Sequence, residues 1–195
     1  MAEEASLAES DAIGTLMSRV TNGRLVAPAP NPVELRTILT AAVRAPDHGR
    51  LKPWRFFAVR GPALARLGDV MADALSRRIP GATEEQVRRE REKPLRAPMV
   101  LVAAARVRAD THIPAVEQIL AVGAAVQNVL LAAGALGFGS AWKTGDAAYD
   151  EHVKAAFGLR PADAIVGFIY LGQPERPQPR PTSSDVSEVL SEWTA

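Results

Sequence analysis

Residues 99–105 read Met-Val-Leu-Val-Ala-Ala-Ala, a continuous apolar run bounded by Pro98 and Arg106. Its length suits a strand, and the missing polar alternation means that both faces must be covered. Working outward, Ala164 to Leu171 predicts a second buried strand, and Gly139 to Trp142 a short one. Pro114 opens the longest helix, which runs to about Leu136 and closes at Gly137. A further helix spans Asp150 to Phe157 and ends at Gly158. On the N-terminal side, Ile13, Leu16, Met17 and Val20 keep helical spacing. Asn31-Pro32-Val33-Glu34 marks another helix start, with Asn as cap and Glu three residues later. Leu35, Ile38, Leu39 and Ala42 form its stripe, and it stops before Pro46. Arg55 to Arg60 predicts a strand, and Gly61-Pro62 opens a helix carrying Leu64, Leu67 and Met71.

Strands never follow one another directly in this order, so the class is α+β or α/β. Thr83 to Lys93 is charged with almost no apolar stripe, and predicts a solvated helix laced with i,i+4 pairs. The tail from Gln173 carries Pro174, Pro177, Pro179 and Pro181, which exclude a helix interior or a central strand. One domain is expected over 1–195, with a flexible N-terminus at 1–10 and an extended tail at 173–195.

Composition narrows the function. The chain has 195 residues, 23 Lys+Arg against 22 Asp+Glu, and a net charge of +1. That balance gives no global field for nucleic acid or acidic membranes. The absence of Cys removes disulfides, thiolate metal sites and Cys nucleophiles. His48, His112 and His152 lie far apart without metal-ligand spacing, so no metal site is expected. The N-terminus lacks the basic and apolar regions of a signal peptide. Ile119 to Phe138 reads as a buried helix rather than a membrane span, and a soluble, cytoplasmic protein is expected.

Several catalytic patterns are missing. There is no GxGxxG, no GxxxxGK[ST] and no GxSxG. Gly134 to Gly139 is glycine-rich, but it follows a helix and precedes a strand, the reverse of a dinucleotide-binding turn. Cations instead gather near helix ends and turns: Arg19 and Arg24; Arg44 with His48 and Arg50; Lys143 beside Trp142 and Thr144. A bound phosphorylated cofactor calls for such donors, and a flat ring calls for apolar walls beside them.

Three ordered motifs now match a family. They are Arg44-Ala-Pro-Asp-His48 running through Pro53-Trp54-Arg55-Phe56, Gly137-Phe138-Gly139-Ser140-Ala141-Trp142-Lys143-Thr144-Gly145, and Ala156-Phe157-Gly158-Leu159 leading to Ile165–Pro174. Across about residues 13 to 176 the chain resembles the nitroreductase family of FMN enzymes, in its compact branch. The resemblance implies an α+β fold with a central, mainly antiparallel sheet flanked by helices, in an intertwined homodimer. It implies FMN held between the two chains, with NADH or NADPH as electron donor. Electrons would pass by a ping-pong route to nitro compounds, quinones or a similar small acceptor.

By motif position, Arg19, Val20 and Thr21 serve the FMN phosphate and ribityl region. Arg44 and His48 reach the FMN of the partner chain, and Trp142, Lys143 and Thr144 complete the pocket. Ala132, Ala133, Gly134, Ala135, Leu136 and Gly137 are associated with the nicotinamide nucleotide. No side chain is assigned as catalytic, because the flavin carries the redox chemistry. Arg44 and Lys143 are the candidates for a cation beside flavin N1 and O2. The family often has Arg-Arg-Ser where this chain has Arg19-Val20-Thr21, so one phosphate-facing cation is lost, and Arg24 is the candidate to compensate. The rival readings are a non-catalytic flavin-binding protein, and reductive dehalogenation or flavin fragmentation on the same scaffold. The long apolar helix gives a separate reason for a dimer: Val116, Ile119, Leu120, Val122, Val126, Val129 and Leu130 surround it, and a helix apolar all round needs burial all round.

Overall fold

The structure is a computed structural model, and it describes residues 12–176 and 185–194. The expected flexible segment 1–10 and most of the proline-rich tail lie outside the described residues.

The five described strands form one antiparallel sheet: β1 (Leu25–Val26), β2 (Trp54–Arg60), β3 (Met99–Ala105), β4 (Gly139–Lys143) and β5 (Ala164–Pro174). β5 is the hub. It pairs with β3 from Met99↔Leu171 to Ala105↔Ala164, and with β4 from Gly139↔Gly172 to Lys143↔Phe168. β1 pairs with its far end, and β2 lies outside β3. Among the described residues the sheet is accompanied by helices α1 (Pro32–Ala42), α2 (Pro62–Arg78), α3 (Glu84–Glu92), α4 (Ala115–Ala135) and α5 (Glu151–Ala156). Residues 12–18 are also helical.

The apolar run in β3 is explained by cover on both faces. Val100, Val102 and Ala104 join Phe168 and Tyr170 in a core under α2 and α5. Met99, Leu101, Ala103 and Ala105 join Ile169 and Leu171 against α1 and α4. Each large apolar side chain buried in these layers contributes roughly 1.5–3 kcal/mol. Helix starts follow their sequence signals. Asn31 Oδ1 accepts from Val33 N at 2.8 Å, and Glu34 Oε2 accepts from Asn31 N at 2.7 Å. Thr83 and Gln86 form the same reciprocal cap on α3.

Four expectations change. β1 has only two residues, too few for a periodic signal. β4 continues through Lys143. Gln173 and Pro174 belong to β5 rather than to the tail; they pair with Val26 and Leu25 at the strand's end, where a proline is tolerated. Burial of the apolar helices is one-sided. α4 buries Val122, Val126 and Val129, whereas Val116 is 59% exposed and Leu120 64%. Ile13, Leu16 and Met17 are exposed as well. α4 is long and apolar enough to cross a membrane, but its buried side packs on the sheet core.

Candidate functional site

A cavity of about 370 Å³ opens beside the end of β4, within the range of small-molecule sites. Its apolar wall includes Met71, Ala141 and Phe168, and its polar rim includes Glu90, Lys93, Arg96 and Lys143. Trp142 lies near the end of β4, and Thr144 and Gly145 follow the strand.

Trp142 is set in place by a glycine. Its indole Nε1 donates to Val166 O at 3.0 Å, so the ring lies across β5. A Cβ on Gly167 would sit 2.1 Å from that nitrogen, so only glycine leaves room. Asn22 positions the other side of the site. It is buried, its Oδ1 accepts from Ser140 N at 2.9 Å, and its own N–H donates to Ser140 O at 3.0 Å. Residues 19–23 are thereby tied to β4.

Asn22 also lines two neighbouring cavities. One, of about 120 Å³, brings Arg19 and Val20 beside Gly134 and Ala135 of α4. The other, of about 410 Å³, is lined by Thr21, Arg24, Glu175 and Arg176. Sequence-predicted residues from three separate segments thus converge around one buried asparagine. Arg24 does not stand free, because its Nε lies 3.5 Å from Glu175 Oε1.

Arg44 and His48 are not among the residues lining these cavities. They belong to an exposed turn against the start of α4, where His48 Nδ1 lies 2.6 Å from Glu117 Oε2. That turn is strained, since Arg50 and Lys52 adopt positive φ of 53° and 49°. Asp47 Oδ1 is buried there without a hydrogen-bond partner among the described residues. Of the nicotinamide set, Gly134 and Ala135 line the smaller cavity, Ala133 is buried in the α4 core, and Gly137 ends the helix with φ of 83°.

Sequence reasoning did not single out Asn22, Glu90, Lys93, Arg96 or Tyr170 as site residues. For Glu90 and Lys93 the signal was hidden in a run of charges that looked wholly solvated. Tyr170 also lines the main cavity. Burial pushes its phenol up to about 12, with Arg96 opposing and Glu90 reinforcing the shift. At neutral pH it is therefore an uncharged hydroxyl. No group of three or more His, Asp or Glu side chains placed to hold a metal occurs among the described residues.

Fold and cavity together define the class: an antiparallel α+β protein with helices on both sheet faces and a basic, apolar-walled cavity beside β4. The chain belongs to the nitroreductase family, a family of oxidoreductases, whose profile matches residues 26–173. It is 36% identical over 165 residues to the Escherichia coli K12 protein named "Putative NAD(P)H nitroreductase YdjA", covering 85% of this chain and 89% of that one. A nitroreductase-like family protein from Bacillus cereus shares the fold with a TM-score of 0.79 at 22% identity, covering 94% of this chain and 96% of that one. A Desulfovibrio desulfuricans protein, described as a "putative nitroreductase in complex with fmn", matches with a TM-score of 0.71 at 24% identity and the same coverage of each chain.

Proposed function

We propose that the chain is an FMN-dependent oxidoreductase. It takes electrons from NADH or NADPH and passes them to nitro compounds, quinones or a similar small acceptor. The observation that carries this reading is the main cavity, where apolar walls meet three cations and the Trp142 side of β4. Those residues fit the group: Met71, Ala141 and Phe168 offer surface to a flat ring, and Lys93, Arg96 and Lys143 offer charge to its polar edge. Gly145 and Gly23 line the same cavity, and the space where each would carry a Cβ is open.

Arg19, Val20 and Thr21 hold the phosphate and ribityl end. Arg19 Nη1 already lies 3.5 Å from Thr21 Oγ1, so a fork and a hydroxyl are presented together. Trp142, Lys143 and Thr144 wall the ring. Ala132 to Gly137 border the nicotinamide nucleotide, supported by the closeness of Gly134 and Ala135 to Arg19. When bound, FMN supplies the two-electron chemistry. Lys93, Arg96 and Lys143 at its edge would favour the negative charge that reduction brings. Donor and acceptor occupy the same cavity in turn, which makes the kinetics ping-pong.

The working unit is a cytoplasmic homodimer, with Arg44 and His48 of each chain turned toward the other chain's flavin. The exposure of Arg44 and His48 and the strained turn beside them support a partner at that surface. The test is the visible spectrum of purified protein, followed by anaerobic addition of NADH or NADPH. A yellow protein that bleaches is the expected result. Colourless protein whose melting temperature does not respond to added FMN refutes the assignment, and a yellow protein that neither nucleotide bleaches is a flavin carrier without this activity.

A further inference from the structure

The charged segment 83–93 is only partly a solvated helix. Glu85 pairs with Arg88 and Arg89, and Arg88 with Glu92, all in solvent. Glu90 departs from the pattern: it is 9% exposed and lines the main cavity. Packing turns it inward. A Cβ on Gly68 would lie 2.1 Å from Arg91 O, so α2 and α3 approach at a distance only glycine allows. Arg91 Nε also holds Asp69 Oδ1 at 2.9 Å across the same contact.

Inside the cavity Glu90 Oε2 lies 2.5 Å from Lys93 Nζ. Among the described residues, neither Arg96 nor Lys143 has a carboxylate within ion-pair distance. One cavity cation of three is therefore neutralised, and by a carboxylate that is itself buried. A buried ion pair gives little net stability, because desolvation offsets the attraction. The pair's consequence lies in the cavity's field. Four charged groups line it, and Glu90 is the negative one.

We propose that Glu90 is a positioning residue that sets the reduction potential of the bound flavin. It holds the Lys93 ammonium at the wall and cancels much of its charge, so that reduced flavin is stabilised less than three free cations would stabilise it. This rests on the placement of FMN in the main cavity. At an effective dielectric of about 20, one unit charge acting over about 10 Å changes an equilibrium on the order of tenfold.

The test uses the full-length protein loaded with FMN. The midpoint potential is measured by equilibration with a redox dye, and FMN affinity by flavin fluorescence. Glu90→Gln is expected to increase the preference for reduced over oxidised FMN about tenfold, which for a two-electron couple is about 30 mV more positive. Lys93→Gln moves the potential the other way. Glu90→Gln combined with Lys93→Gln returns it close to the wild-type value, because the net charge is restored. That double variant also keeps the proposal open to refutation should Glu90→Gln alone not fold. If Glu90→Gln binds FMN with an unmoved potential, or the double variant shifts as far as Lys93→Gln alone, the proposal is overturned while the flavin site stands. Wild-type protein that binds no FMN overturns both.

Discussion

Replacing Gly167 with alanine probes the geometry of the site through stability. The new Cβ would fall 2.1 Å from Trp142 Nε1 and 2.5 Å from Cδ1, so the indole has to leave its position across β5. Its hydrogen bond to Val166 O goes with it, at about 0.5–1.5 kcal/mol. Trp142 is 38% exposed, and uncovering roughly another 100 Å² of ring at about 25 cal/mol per Å² costs about 2.5 kcal/mol. Alanine stiffens the unfolded chain, which returns about 0.4–1 kcal/mol. The net loss is about 2–3.6 kcal/mol, and for a chain of this size it lowers the melting temperature by roughly 4–14 °C. Thermal unfolding followed by tryptophan fluorescence reads the loss, and emission of the folded protein moves to the red as the indole meets water. The decisive control is Gly167→Ala in a Trp142→Ala background. With no indole to displace, the substitution costs much less, its remaining close contact being Lys143 O at 3.3 Å. Equal destabilisation in both backgrounds would refute the claim that Gly167 exists to seat Trp142.

Three other outcomes follow from the same structure. Arg19→Ala lowers FMN occupancy, read from the flavin-to-protein absorbance ratio, because a charge-assisted phosphate contact worth roughly 1.5–3 kcal/mol is lost; unchanged occupancy moves the phosphate elsewhere. Leu120→Glu places a charge on the exposed apolar side of α4 and shifts the protein from dimer to monomer in sedimentation, whereas an intact dimer places the interface on another surface. Asp163 is held below the usual carboxylate range: burial works to raise it, but the Arg160 guanidinium and the N–H groups of Arg160 and Val107 outweigh that. Its stabilisation is complete above the ordinary Asp value and is lost as pH falls through the lowered one. Asp163→Ala therefore costs about 2–3 kcal/mol in urea unfolding near neutral pH, with the difference from wild type shrinking in strong acid.

Elements with a local physical cause were legible in the sequence. Asn31 and Glu34 mark the start of α1 because a capping box is built from residues three apart. β3 was legible because cover on both faces leaves no polar position. Gly158 ends the turn after α5 with φ of 64°, a conformation that glycine adopts freely. The rest depends on packing between distant segments. Glu90 reads as one more surface carboxylate until the contact at Gly68 turns it inward. Asn22 carries no motif, and its role appears only when β4 supplies Ser140 as its partner. Lys93 is hidden in the same way as Glu90, since a charge run reveals nothing about which of its members faces a cavity.

The features that a single chain leaves unexplained share one remedy. Ile13, Leu16 and Met17 present an apolar face to solvent, as do Val116 and Leu120 of α4. Scattered apolar residues on a surface need no explanation, but helix faces at regular spacing do. Arg44 and His48, the predicted flavin contacts that line none of the protomer's site cavities, lie in the turn that packs against the start of α4. A symmetric partner laid along α4 would cover Val116 and Leu120 and bring a second copy of that turn toward the first chain's cavities. Stability and the completeness of the site then depend on the same contact. A variant that loses the dimer should lose bound FMN in parallel, even though Arg19, Trp142 and Lys143 remain in place.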